Sequence, residues 1–78
     1  MPYIKQEDRA RAWREPQSPG ELNFAITCRL QDYITRKGLS YTAINDVLGA
    51  IEGAKLEFYR RVVVPYEDEK IKENGDVY

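Results

Sequence analysis

The chain has 78 residues, with 12 Lys+Arg, 13 Asp+Glu, no His, one Cys and a formal net charge of −1 at pH 7. A chain this short buries only about 60% of its unfolded surface, so a core built from one copy is marginal. Cys28 alone cannot form an internal disulfide and no zinc-binding pattern is present, so neither a disulfide staple, a metal nor a cofactor is expected. No apolar run approaches the roughly 18 residues of a membrane span, and the opening Met1–Asp8 lacks the apolar stretch of a signal peptide. A soluble, cytoplasmic protein with no membrane partner is therefore expected. Its net charge also removes the bulk attraction to phosphate backbones, so nucleic acid is not an expected partner.

Residues 1–20 read as an N-terminal segment and linker within one small helical domain. Lys5 to Arg14 places Glu7 and Asp8 early and Arg9, Arg11 and Arg14 late, the charge order that suits a helix dipole. Such a short helix needs Trp13 or Tyr3 docked on the rest of the chain. Pro16, Ser18, Pro19 and Gly20 then interrupt it.

From residue 21 to 37, Leu22, Ile26, Leu30, Tyr33 and Ile34 recur every three or four positions and predict an amphipathic helix. Gly38 after Arg36 and Lys37 supplies its stop. Phe24 and Cys28 lie off the main arc, facing either a second contact or the Trp13 segment.

Ser40 is read as the N-cap of a long helix spanning 40–73, with a break near residue 65. Ile44, Val47, Ile51, Ala54, Phe58 and Val62 form its main stripe, close to a heptad seam, which predicts an antiparallel hairpin with the preceding helix. Gly49, Gly53, Leu56 and Val63 lie on another face. Two interior glycines each cost roughly 1 kcal/mol relative to Ala, so a close crossing by another helix is the expected compensation. That helix could belong to another subunit or to the N-terminal segment. Pro65 either kinks the long helix or starts a new one. Glu67 to Lys72 repeats the acidic-start, basic-end order before Asn74 and Gly75, and residues 74–78 form a tail.

No His is available as a base for Cys28, and no Gly-rich phosphate loop occurs, so no enzyme is expected. A different constellation emerges at about 100° per residue along the long helix. Tyr41, Asn45, Glu52, Lys55, Tyr59 and Tyr66 fall near one line, with Arg60 and Arg61 beside it; Tyr66 joins only if the helix runs on through Pro65. Tyr supplies stacking surface while Arg and Lys recognise phosphate or carboxylate. The same residues suit a polar, aromatic protein interface, or Tyr packed at the edge of a small core. The candidate ligand-binding set is Tyr41, Asn45, Lys55, Tyr59, Arg60, Arg61 and Tyr66.

Particular segments carry a resemblance: MPYIKQEDR at Met1–Arg9, Gly20–Asn23, Lys37–Tyr41, YRRVV at Tyr59–Val63, PYED at Pro65–Asp68 and ENGDVY at Glu73–Tyr78. Together they resemble a widespread family of short, mostly uncharacterised phage and prophage proteins. The likeness spans the chain, except that the family often carries a longer helical stretch around Ala12 to Pro19. By analogy with small helical viral oligomers, it implies a non-enzymatic homo-oligomer in the infected bacterial host. Such an oligomer would sequester a cyclic or other nucleotide immune signal, an anti-defence role. The alternative is a protein-interaction module that blocks or adapts a host or virion protein. The expected architecture is all-α: a short N-terminal helix and an antiparallel hairpin whose long second helix is interrupted at Pro65, assembled as an oligomer.

Overall fold

The computed structural model describes residues 1–78 throughout. A 3₁₀ turn at Gln6–Asp8 leads into α1 (Arg9–Arg14), followed by α2 (Pro19–Lys37) and α3 (Tyr41–Phe58). A π-helical turn at Tyr59–Val63 then passes directly into α4 (Val64–Asn74). The all-α class expected from the periodicities is the class observed. Residues 1–44 and 45–78 form two compact units.

In the first unit α1 packs against α2, and Ala12 is fully buried. Ser18, extended at φ −148°, caps α2 by accepting the Glu21 N–H at 3.2 Å, with Pro19 in the first turn. Glu21 Oε1 reaches back to the Gln17 N–H at 2.9 Å, a one-residue variant of the reciprocal capping box. The same carboxylate receives the Arg11 guanidinium as a fork, Nη1 to Oε1 at 2.9 Å and Nη2 to Oε2 at 2.7 Å. One acid therefore caps a helix and ties α1 to it. The sequence reading began this helix at residue 21; it begins two residues earlier because Pro lacks the N–H that a first helical turn leaves unpaired anyway.

Above α1, Arg9 donates from Nε and Nη2 to the Ile4 carbonyl at 3.3 and 3.2 Å, and its guanidinium stands 5.7 Å from the Phe24 ring centroid. Arg29 lies 4.8 Å from the Trp13 ring. Phe24 and Cys28, off the main arc of α2, thus face the N-terminal segment, one of the two readings left open by sequence. Gly38 ends α2 at φ +87°, a conformation open to glycine, and its N–H bonds the Ile34 carbonyl at 2.8 Å.

Ser40 caps α3, accepting the Ala43 N–H at 3.0 Å. Of its apolar stripe, Ile44, Ile51, Phe58 and Val62 are 42, 36, 60 and 51% exposed. On α2, half-buried Phe24 and Cys28 line the side toward the N-terminal segment, while Leu22 and Ile26 are exposed. Within the second unit α4 ends at Gly75, φ +92°, and carries the Lys70–Glu73 and Lys72–Glu69 pairs at 3.4 and 3.5 Å.

The Arg11 fork, and then the Gln17 N–H, hold the Glu21 carboxyl below its ordinary value, and Glu21 in turn raises Arg11. A depressed folded-state value means this contribution is present above the unfolded value of 4.5 and is lost as pH falls through the folded one. Glu21→Gln is therefore expected to lower the thermal midpoint at neutral pH and to flatten its fall on acidification below about pH 4.5. Circular dichroism melts of both proteins across that range check it.

Candidate functional site

The surface singled out by sequence begins at the first residue of α3, where Tyr41 stands 81% exposed. Asn45 and Lys55 follow on the same helix, both exposed, and Lys55 makes no ion pair. Helical rise separates Asn45 from Tyr59 by roughly 21 Å, so one nucleotide-sized ligand does not span both on a single chain.

Tyr59, Arg60 and Arg61 open the π turn, and all three are exposed. Glu57, one turn earlier, accepts both guanidiniums. Arg60 Nη2 lies 2.9 and 3.1 Å from its two carboxylate oxygens, and Arg61 Nε lies 3.1 Å from Oε1. Two cations sharing one anion leave one positive charge over. Solvent-exposed pairs of this kind are worth only about 0.3–0.5 kcal/mol, so an incoming phosphate or carboxylate could displace Glu57 at little cost.

Pro65 explains the turn. Its ring would clash with the carbonyl four residues back, that of Arg61, and it has no N–H to bond there. The backbone widens immediately upstream, and the Val64 N–H reaches the Tyr59 carbonyl five residues back. Pro65 therefore does not stop the helical run; it sits in the first turn of α4, directly after the π turn. An extra residue in one turn rotates everything beyond it by roughly 100° relative to an uninterrupted helix. Tyr66 consequently leaves the Tyr41–Tyr59 line and turns toward the side of the apolar stripe. Its ring lies 5.5 Å from the Lys70 ammonium. The structure gathers Tyr59, Arg60 and Arg61, and it separates Tyr66 and Asn45 from them.

Of the candidate interface residues, Gly49, Gly53 and Leu56 lie on another face of α3 and Val63 closes the π turn. A Cβ built on Gly49 or Gly53 would meet nothing within 4 Å, and Leu56 is 59% exposed while Val63 is half-buried.

One feature escaped the sequence reading. A half-open cavity of about 170 Å³ lies between the N-terminal segment and α2, lined by Pro2, Tyr3, Arg9, Phe24, Thr27, Cys28 and Gln31. The placement of Phe24 and Cys28 off the main arc was its one sequence signal. The Cys28 thiol is half-buried there. No group of three or more His, Cys, Asp or Glu side chains is arranged to hold a metal, and no helix is long and apolar enough to cross a membrane.

Pro65→Ala tests the origin of the π turn. The variant is expected to close residues 59–63 into regular α-helix, seen as a shift of the Val64 amide and its neighbours by NMR, and to raise the thermal midpoint. Removing a helix-breaking proline is worth up to about 3 kcal/mol. A π turn that persists in the variant would assign it to another cause.

The chain belongs to the family described as a domain of unknown function, DUF6899, whose model matches residues 1–77. No curated protein and no solved structure matches it.

Proposed function

We propose that this protein is a non-enzymatic interaction module whose working surface is the uncovered apolar face of α3. The observation that supports it most is the exposure of large side chains along one side of the helix: Ile44, Leu48, Ile51 and Phe58 are all between about one third and two thirds exposed. A helix that is apolar on more than one face is ordinarily a buried helix. Large exposed apolar patches on a protein surface mark interaction sites. Fully covering one Leu, Ile or Phe side chain contributes about 1.5–3 kcal/mol, so the stripe alone can support a stable complex.

The resemblance to phage proteins supports a setting in the bacterial host, with a host or virion protein among the candidate targets. A module that acts by occupying a surface needs no base or nucleophile, consistent with a chain that has no His. Ile51→Asp with Phe58→Asp is expected to abolish complex formation, read as loss of bound mass in native mass spectrometry of protein purified gently from cells. A bare monomer from the unsubstituted chain would overturn the reading.

A second reading, capture of a small anion such as a nucleotide signal, is favoured by the unbalanced charge at Arg60, Arg61 and Glu57 beside the exposed Tyr59 ring. Asn45 lies too far along the helix to join that cluster on one chain, so a second copy would have to complete the site. Arg60→Ala with Arg61→Ala is expected to remove any retained nucleotide-sized mass while leaving the protein assembly intact. A retained mass unchanged by the pair of substitutions would dissociate this cluster from binding.

A further inference from the structure

We propose that the cavity between the N-terminal segment and α2 is a binding site for a small aromatic carboxylate, with Arg9 taking the carboxylate and Phe24 and Tyr3 the ring. The site lies wholly within the unit formed by residues 1–44. It is separate from the α3 face and does not depend on the reading of that face as a docking surface.

The backbone around the cavity is tied down. The Ile4 N–H donates to the Pro2 carbonyl at 3.0 Å and closes a tight turn. The Ile4 carbonyl in turn accepts Arg9 Nε and Nη2 at 3.3 and 3.2 Å, which fastens that turn to α1. Gly20, at the start of α2, lets the segment lie close, since a Cβ there would stand 3.3 Å from the Met1 carbonyl oxygen and 3.8 Å from Ile4 Cγ2. On α2 itself, Phe24, Thr27, Cys28 and Gln31 follow one another within a single face at helical spacing and form the opposite wall.

Charge narrows the ligand. Arg9 is half-buried, makes no ion pair and is the one cation lining the cavity, which no Asp or Glu lines. Ile4 occupies the Nε–Nη2 edge of its guanidinium. The remaining edge keeps parallel N–H groups on Nη1 and Nη2, the fork that a carboxylate accepts in bidentate fashion. A single guanidinium balances a monoanion, whereas a phosphate dianion calls for a second cation.

Size and surface narrow it further. The cavity measures about 170 Å³. An apolar cavity of about 150 Å³ holds a benzene ring. Phe24 and Tyr3 offer aromatic faces and edges, against which a flat ring packs in offset or edge-to-face contact.

The test uses the full-length chain and benzoate as the probe, followed by amide NMR. Benzamide supplies the ring without the charge, and inorganic phosphate the charge without the ring. Benzoate is expected to shift the amides of Tyr3, Thr27, Cys28 and Gln31 saturably, and to slow alkylation of Cys28, the one thiol, by iodoacetamide. Benzamide should bind at least about tenfold more weakly, as should benzoate to Arg9→Gln, because hydrogen bonds to a charged group are lost in both. Arg9 also holds the Ile4 carbonyl, so a second variant separates ligand contact from folding. Gln31→Trp fills the open side from an exposed position on α2 and should abolish benzoate binding with the thermal midpoint unchanged. No saturable shift with benzoate would overturn the site. Equal shifts from benzamide or from phosphate would overturn an aromatic carboxylate as its ligand, and benzoate binding that survives Gln31→Trp would place the contact outside this cavity.

Discussion

Glu21 is the residue on which the N-terminal half of the molecule turns. Its carboxylate accepts a fork from Arg11 and the Gln17 N–H, while its own N–H satisfies the Ser18 cap. A two-turn helix such as α1 has no independent stability. It persists because a charged hydrogen bond fixes its orientation and the fully buried Ala12 packs it on α2. With α1 in place, Arg9 can close over Phe24 and hold the Ile4 carbonyl. The N-terminal unit is thus polar in its fastenings and apolar only in a small patch.

The C-terminal half has no such fastening. Its ion pairs join residues three or four apart on the same helical run, which supports helicity by a few tenths of a kcal/mol each and builds no tertiary structure. Its apolar side chains are abundant and bare. A single helix of this length is marginal in water, and tertiary packing of an apolar face is what ordinarily stabilises it. On the proposed reading of α3 as a docking face, whatever covers the stripe is both partner and core. The π turn enters here as well. By rotating α4 about 100°, it brings Tyr66 round toward the stripe side and leaves Tyr59, Arg60 and Arg61 at the outer surface.

Much of the architecture was legible in the residues. Gly38 and Gly75 were readable as helix stops from the basic or polar residues before them, and both adopt positive φ. Ser40 was readable as a cap from its place before an apolar period. Ser18 was not, although Ser-x-x-Glu at 18–21 carries the same signature, because Pro19 and Gly20 suggest a breaker and Pro is excluded only from helix interiors. Pro65 announced a discontinuity but not its form, since whether a chain kinks, stops or widens depends on the energies of alternative turns. That choice displaced Tyr66 from the candidate site. The stripe on α3 was legible as an apolar face, yet periodicity states only that a face must be covered and not which chain covers it.

Hydrogen exchange measured on the purified chain at high dilution tests most directly whether α3 depends on a partner. If it does, amide protection from residue 45 onward should be low, while α2 near the Ser18 cap and the Glu21–Arg11 fork stays protected. Protection of α3 equal to that of α2 would contradict the docking-face reading and would mean that the single chain stabilises this helix by itself.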